Sequence, residues 1–151
     1  MPMHNIVPPG AGVNYAWAND HIFVKVAGAE TGGAFSVVED NLKAEFALGL
    51  HEHRTHSETF YILEGALKFY IDGKWMTAEK GATVHIPAGV AHAVKMSGGA
   101  GKALMIFQPA FFEQYLAKLA ALSPRELADD ALQQRLAEQY DIHTLGGVPA
   151  E

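Results

Sequence analysis

The chain has 151 residues, a formal net charge of −6 and no cysteine. This length suits one domain with a core of its own, and the absence of cysteine excludes disulfides, thiolate ligands and a thiol nucleophile. The chain shows no basic run, no apolar stretch near the roughly 20 residues that span a bilayer, and no signal-peptide pattern at its start, so we expect a cytoplasmic protein that binds neither nucleic acid nor membrane.

The residues before Pro109 predict a series of short strands separated by tight turns. Leu67, Phe69 and Ile71 occupy alternate positions, which is typical of a half-buried strand, and Asp72-Gly73 then fits a two-residue hairpin turn. The predicted strands cover residues 21–26, 34–38, 43–50, 59–63, 66–71, 74–78, 83–86, 91–96 and 103–107. Many short strands at this spacing indicate a sandwich or a barrel.

The C-terminal part of the chain predicts two helices instead. Apolar residues recur every three or four positions over 111–122 and form one stripe. Ser123 is suited to cap a second helix, with Pro124 at the first helical position and Glu126 where a capping box requires it. The apolar stripe of this second helix continues to Leu136.

Three histidines and a glutamate are concentrated within eight residues, at His51, His53, His56 and Glu58. Because side chains alternate along a strand, His51 and His53 point to the same face and can enter a barrel interior together. Glu58 opens the next predicted strand on its apolar face, where an ionised carboxylate is unfavourable unless a cation lies beside it. The cluster therefore indicates a cation site.

A further histidine, His92, follows a turn at Pro87–Gly89 that can direct the next strand toward the same cavity. Imidazole and carboxylate together are a ligand set for divalent transition metals. Three neutral imidazoles and one carboxylate would leave one or two coordination positions open, as catalytic metal sites do.

These residues fall into two glycine-framed motifs that resemble those of the cupin family: His51-x-His53-x4-Glu58-x6-Gly65 and Gly81-x5-Pro87-x-Gly89-x2-His92. The resemblance implies an all-β fold, a double-stranded β-helix or jelly-roll barrel, with a C-terminal helical extension. It also implies one divalent transition metal per chain, with Fe, Ni, Mn, Cu, Co and Zn as alternatives. The implied metal ligands are His51, His53, Glu58 and His92.

A finer resemblance is to small single-domain cupins similar to bacterial quercetin 2,3-dioxygenase. It is carried by Thr31-Gly32-Gly33-Ala34-Phe35, by E-T-F-Y-I-L-E-G, and by Pro109 followed by a Phe-Phe-Glu helix. It implies a cupin domain over 1–109 with its core motifs at 49–96. A helical extension over 110–151 would pack on the barrel or on the partner of a homodimer.

The remaining histidines stand outside the two motifs. We expect His56 to be an exposed loop histidine; the alternatives are a substitute ligand or a proton relay near the metal. We expect His85 to line the pocket or to be hydrogen-bonded, with a catalytic acid/base role as the alternative. His4, His21 and His143 are expected at the surface or as cap residues.

An apolar substrate pocket is expected above the metal. Its candidate lining residues are Phe46, Phe60, Ile62, Val94, Met96, Phe107 and His56. For the apolar members of this group, a plain barrel core is the alternative interpretation.

The resemblance implies a metal-dependent, quercetinase-like dioxygenase that oxidises an aromatic or enolisable small molecule with O2. In that reaction Glu58 would accept the substrate proton. One alternative is an isomerase, cyclase or lyase that uses the metal as a Lewis acid without O2, with His85 or His56 as the acid/base. Another is a non-catalytic cupin that binds a metal or a small ligand, because the same fold hosts all three.

Overall fold

The computed structural model describes residues 5–151 and places them in two antiparallel sheets followed by short helices. The strands are β1 (Val13–Ala16), β2 (Asp20–Val26), β3 (Ser36–Leu42), β4 (Ala47–Glu52), β5 (Ser57–Glu64), β6 (Ala66–Ile71), β7 (Lys74–Glu79), β8 (Thr83–Ile86), β9 (His92–Met96), β10 (Gly101–Gln108) and β11 (His143–Thr144). One sheet has the order β1-β2-β3-β10-β5-β8, and the other has the order β11-β4-β9-β6-β7. The all-β prediction is therefore confirmed.

The predicted strands are all present, and the differences lie at their ends. The strand predicted to stop at Val38 continues to Leu42, because the polar run 39–41 pairs with both β2 and β10 instead of forming a turn. β1 and β11 have no counterpart among the predicted strands. The hairpin turn after β6 is confirmed, with positive φ angles of 53° at Asp72 and 78° at Gly73.

The helices are α1 (Phe112–Ala120), α2 (Pro124–Leu127) and α3 (Asp130–Gln139). Ser123 caps α2 as predicted, since its side chain accepts a hydrogen bond from the backbone nitrogen of Glu126. The single second helix that was predicted is divided in two, because the Asp129 side chain accepts a hydrogen bond from the nitrogen of Leu132 and begins a new helix there. Within residues 5–151, every helix is too short or too polar to cross a membrane.

The hydrophobic core lies between the inner faces of the two sheets. Its largest fully buried apolar side chains are Phe69, Phe107, Ile62, Leu67, Ile86 and Val38. Each such side chain stabilises the fold by about 1.5–3 kcal/mol relative to an exposed one. Because side chains alternate along each strand, the buried polar residues on the inner positions point into this same interior.

The segment after α3 returns to the barrel and lies against β4. β11 pairs with the end of that strand, placing Thr144 opposite His51. Backbone hydrogen bonds then join Leu50 to Leu145, Gly146 and Gly147. The C-terminal segment therefore borders the part of β4 that carries the histidine cluster.

Candidate metal centre and cavity

Four donor side chains, three imidazoles and a carboxylate, converge inside the barrel. One ligand atom from each lies within 4.8 Å of the others. The four residues are His51 (8% exposed), His53 (4%), Glu58 (5%) and His92 (0%). They come from the end of β4 and the loop after it, from the start of β5, and from the start of β9, where His92 lies opposite His51. The structure thus brings together the four residues that the motifs implied as metal ligands.

Backbone carbonyl groups fix the orientation of all three imidazoles. Each Nδ1 donates to a carbonyl oxygen: His51 to Gly49 at 2.7 Å, His53 to Asp141 at 3.0 Å and His92 to Val90 at 2.9 Å. A carbonyl oxygen can only accept, so each Nδ1 carries a proton, and in a neutral ring the Nε2 atom keeps its lone pair. This is the arrangement in which histidine binds a metal through Nε2.

The Nε2 atoms of these rings face a carboxylate, and this arrangement requires a positive charge between nitrogen and oxygen. The Nε2 atoms of His53 and His92 lie 3.2 and 3.5 Å from the same oxygen, Oε2 of Glu58. The Nε2 atom of His92 is buried and has no hydrogen-bond partner among residues 5–151. Lone pairs facing a carboxylate oxygen repel one another unless a proton or a metal ion lies between them. The buried group therefore fits one divalent metal ion and could hold it.

The pKa shifts in this group follow from its contacts. Burial by itself raises the pKa of Glu58, but the hydrogen bond with His53 and the neighbouring His92 hold it well below its usual range. Burial alone would lower the pKa of His53, yet the hydrogen bond and the charge of Glu58 raise it. Burial, assisted by His92, lowers the pKa of His51 to about 4. At neutral pH, Glu58 is thus ionised and His51 is neutral, which are the metal-binding forms.

Asp141, after the end of α3, supports the loop that carries this centre. Its backbone oxygen accepts the His53 hydrogen bond. Its carboxylate accepts five more, from the Arg54 nitrogen at 2.8 Å, the Thr55 nitrogen at 2.7 Å, the Thr55 Oγ1 at 2.7 Å, the His56 Nδ1 at 2.9 Å and the His143 Nε2 at 3.0 Å. Burial by itself raises the pKa of Asp141, but the hydrogen bonds from Thr55 and Arg54 lower it by more. The pKa is therefore below its usual range, and the carboxylate is ionised. The C-terminal segment thereby holds the metal-binding loop in place.

The prediction that His56 is an exposed loop histidine is wrong, because only 1% of it is exposed. Its ring stacks on that of His53 at 4.2 Å and meets the ring of Phe111 edge-on at 4.9 Å. The bond to Asp141 and this stacking account for its burial. His56 contributes no atom to the group of four donors, and it instead supports the His53 ring from the side.

The prediction that His85 lines the pocket is also wrong, although the alternative that it is hydrogen-bonded is confirmed. In β8, Ile86 points inward and His85 points outward, where it is exposed and shares a hydrogen bond of 2.8 Å with Thr59 Oγ1. This placement gives no support to a catalytic role. Of the other histidines, His21 hydrogen-bonds an exposed side chain, His143 bonds Asp141, and His4 lies outside the described residues.

A cavity of about 520 Å³ opens over the metal centre and has His51, His53 and Glu58 in its floor. Most of its wall is apolar and comes from segments far apart in the chain, including Trp17, Phe46, Leu48, Phe112, Tyr115 and Ile142. Two further acidic side chains, Asp20 and Asp40, also line it. Its volume and its apolar walls with a few polar groups are typical of a small-molecule site.

The predicted pocket residues are only partly correct. Phe46 lines the cavity, while Phe60 and Val94 line a small space beside it, next to Glu58 and His92. The others, Ile62, Met96, Phe107 and His56, line neither space and are buried in the barrel interior. The sequence patterns missed α1 and the C-terminal segment as cavity walls, because no local spacing reveals which face a distant segment covers.

The chain matches known proteins over its barrel. Residues 41–107 match the family model described as Cupin domain. Quercetin 2,3-dioxygenase from Bacillus subtilis (strain 168) is 29% identical over 96 residues, which are 64% of this chain and 28% of that protein. This chain therefore spans little more than a quarter of the length of that relative. The predicted resemblance to a small cupin similar to quercetin 2,3-dioxygenase is confirmed by these two matches.

Solved structures share the fold. KdgF from Halomonas sp. aligns with a TM-score of 0.65 at 12% identity and covers 74% of this chain and 99% of its own. Ectoine synthase from P. lautus aligns with a TM-score of 0.58 at 14% identity and covers 91% of this chain and 84% of its own. At these identities the likeness concerns the fold alone, and it supports the predicted cupin barrel.

Proposed function

We propose that this protein is a metal-dependent dioxygenase of the quercetinase type, which oxidises an aromatic or enolisable small molecule with O2. The observation that carries the proposal is the convergence of His51, His53, Glu58 and His92, of which the first three form the floor of an apolar cavity. The similarity to the quercetin 2,3-dioxygenase of Bacillus subtilis supports the same reaction class. A cytoplasmic homodimer is part of the proposal.

The residues of the chain have separate tasks in this reaction. A divalent transition metal held by the four donors would acidify a substrate hydroxyl and supply the redox chemistry toward O2. His51 and His92 keep their Nε2 atoms directed into the centre because their Nδ1 atoms are anchored to the backbone. Glu58 is ionised and accepts the proton of the acidified hydroxyl, while the apolar walls exclude water.

The test is metal analysis combined with oxygen consumption. Protein produced with each of Fe, Mn, Ni, Cu, Co and Zn is assayed by elemental analysis, then in an oxygen electrode with quercetin and with acetylacetone. We expect one metal per chain and O2 uptake that matches substrate loss. Glu58→Gln should abolish the uptake, whereas Glu64→Gln, an exposed carboxylate on the same strand, should not.

Two results would contradict the proposal. Equal turnover with and without O2 would indicate a Lewis-acid isomerase, cyclase or lyase. A protein without metal under every condition would indicate that the four residues serve another purpose.

A further inference from the structure

Two further carboxyl groups, those of Asp20 and Asp40, line the cavity. Both residues precede the two metal motifs in the sequence. Asp40 is only 2% exposed and lies on the inner face of β3, and Asp20 opens the neighbouring strand β2, two positions before Ile22, which pairs with Asp40. Both residues line the cavity that has His51, His53 and Glu58 in its floor. Burial above all raises the pKa of both carboxyl groups, and each group acts on the pKa of the other.

One oxygen of this pair is left without a partner. Oδ1 of Asp40 is buried and has no hydrogen bond to any of residues 5–151. The neighbouring Glu39, equally buried but on the other face of β3, accepts hydrogen bonds from the Gly10 nitrogen and from Asn41 Nδ2, both at 3.3 Å. Buried polar atoms are nearly always paired, so an unpaired oxygen that lines a cavity points to a ligand group.

The surroundings define what that group is. Burial and the charge of Asp20 raise the pKa of Asp40 to about 9, so Asp40 keeps its proton at neutral pH. A protonated carboxyl group can accept a hydrogen bond as well as donate one. Among residues 5–151, no lysine or arginine lines the cavity, and the pair and Glu58 bring negative charge. An anionic ligand group is therefore disfavoured here, and a neutral O–H donor is favoured.

We propose that Asp40, with Asp20 beside it, determines specificity by forming a hydrogen bond with a hydroxyl of an uncharged, polyhydroxylated aromatic ligand, other than the oxygen that meets the metal centre. This inference rests on the proposed function, because it takes the cavity as the substrate site. The aromatic walls of the cavity, such as Trp17 and Phe46, suit a flat ring system. A ligand without a further hydroxyl would leave the oxygen of Asp40 unpaired.

The experiment compares two probes on the metal-loaded protein. Quercetin carries hydroxyls on both of its ring systems, whereas flavonol (3-hydroxyflavone) has the same framework with only the hydroxyl beside its ketone. Binding is measured by quenching of tryptophan fluorescence, since Trp17 lines the cavity. The variants are Asp40→Leu and Asp40→Asn, and Glu39→Gln is the matched control on the opposite face of the same strand.

We expect wild type and Glu39→Gln to bind quercetin at least about ten-fold more tightly than flavonol. In Asp40→Leu, quercetin affinity should fall about ten-fold while flavonol affinity stays or rises. Asp40→Asn should lie between the two. An unchanged ratio of the two affinities in both variants would overturn the inference.

Oxygen uptake measured on the same samples separates this inference from the proposed function. If the affinity ratio changes but neither probe supports O2 uptake, Asp40 is a ligand-binding residue and the dioxygenase proposal fails. If uptake occurs and the ratio does not change, the dioxygenase proposal stands and the role of Asp40 is wrong. If neither probe binds the wild-type protein, both the role of Asp40 and the dioxygenase proposal are wrong for polyphenols.

Discussion

Glu58 and Asp40 are two carboxyl groups that line one cavity and are buried almost equally, at 5% and 2% exposure. Their pKa values nevertheless move in opposite directions. The pKa of Glu58 is held far below its usual range by the hydrogen bond with His53 and by His92, whereas that of Asp40 rises to about 9 through burial and the charge of Asp20. Equal burial therefore does not give the two carboxyl groups the same charge, because the neighbouring groups reinforce its effect at Asp40 and outweigh it at Glu58.

The difference gives the cavity two chemically distinct carboxyl groups, and each with its neighbours is called the Glu58 end or the Asp40 end. The end at Glu58 carries an ionised carboxylate among imidazoles and attracts a cation. The end at Asp40 retains a proton and offers a hydrogen-bond acceptor. Pairs of acidic groups that are driven apart in pKa in this way commonly take different tasks in one site.

The largest expected effect comes from removing the charge at the cation-binding end. Glu58→Gln keeps the shape of the side chain but removes the negative charge that faces the Nε2 atoms of His53 and His92. We expect metal affinity to fall at least about a hundred-fold, since a ligand counts for more than its supporting contacts. Calorimetric titration with Mn²⁺ or Zn²⁺ measures it, with Glu64→Gln as control; equal affinity in both variants would contradict the assignment.

A smaller effect on the same end is expected from Asp141→Asn. The substitution weakens the contacts with Thr55 and His56 but leaves the backbone oxygen that anchors His53. We expect metal affinity to fall about ten-fold, near the lower bound for such supporting residues. Quercetin-to-flavonol selectivity should stay unchanged, because Asp141 does not reach the Asp40 end. The control is Asp130→Asn, an exposed aspartate in the first turn of α3.

A loss of selectivity in Asp141→Asn would show that the two ends are coupled through the C-terminal segment. A change confined to metal affinity would instead show that the two ends act independently.

The Glu58 end could be predicted from the sequence, and the Asp40 end could not. His51 and His53 share a face through strand alternation, and the glycine and proline positions of the two motifs place Glu58 and His92 beside them. Asp40 belongs to a polar run that reads as the end of a strand, and its burial follows from pairing with both β2 and β10. A local pattern does not encode such pairing.

The sequence also did not predict that the C-terminal segment supports the metal centre. The hydrogen bond between His56 and Asp141 joins residues 85 positions apart, and together with stacking on His53 it accounts for the burial of His56. Strand alternation and motif spacing describe neighbours along a chain and across one turn. They therefore located the metal donors but not the cavity walls or the residues behind the donors.

The pH dependence of stability tests the Asp40 end in the absence of any ligand. Since the pKa of Asp40 rises from its ordinary 3.8 to about 9 on folding, the unfolded chain ionises this group above pH 4 while the folded chain keeps it protonated. Its contribution to the free energy of unfolding is therefore favourable below about pH 4 and is lost as pH rises toward 9. Asp20 and Glu58 act on the pKa of Asp40, and His21 acts on that of Asp20.

Asp40→Asn should remove this dependence. In urea unfolding of metal-free protein, we expect the variant to gain about 1–3 kcal/mol relative to wild type between pH 5 and pH 8, the range for relieving a poorly satisfied buried polar group. Glu39→Gln is the matched control on the other face of β3. Identical pH profiles for the two variants would contradict the pKa assigned to Asp40.

The smallest effect is expected from His85→Gln, because His85 does not line the cavity. The side chain is exposed on the outer face of β8, and its one hydrogen bond, to Thr59, can be remade by glutamine. Metal affinity, oxygen uptake and flavonol selectivity should all stay within about two-fold of wild type, because surface substitutions rarely change stability by more than about 0.5 kcal/mol. A ten-fold loss of oxygen uptake with normal metal content would instead place His85 in proton transfer, and would then require a conformation in which β8 turns its outer face toward the cavity.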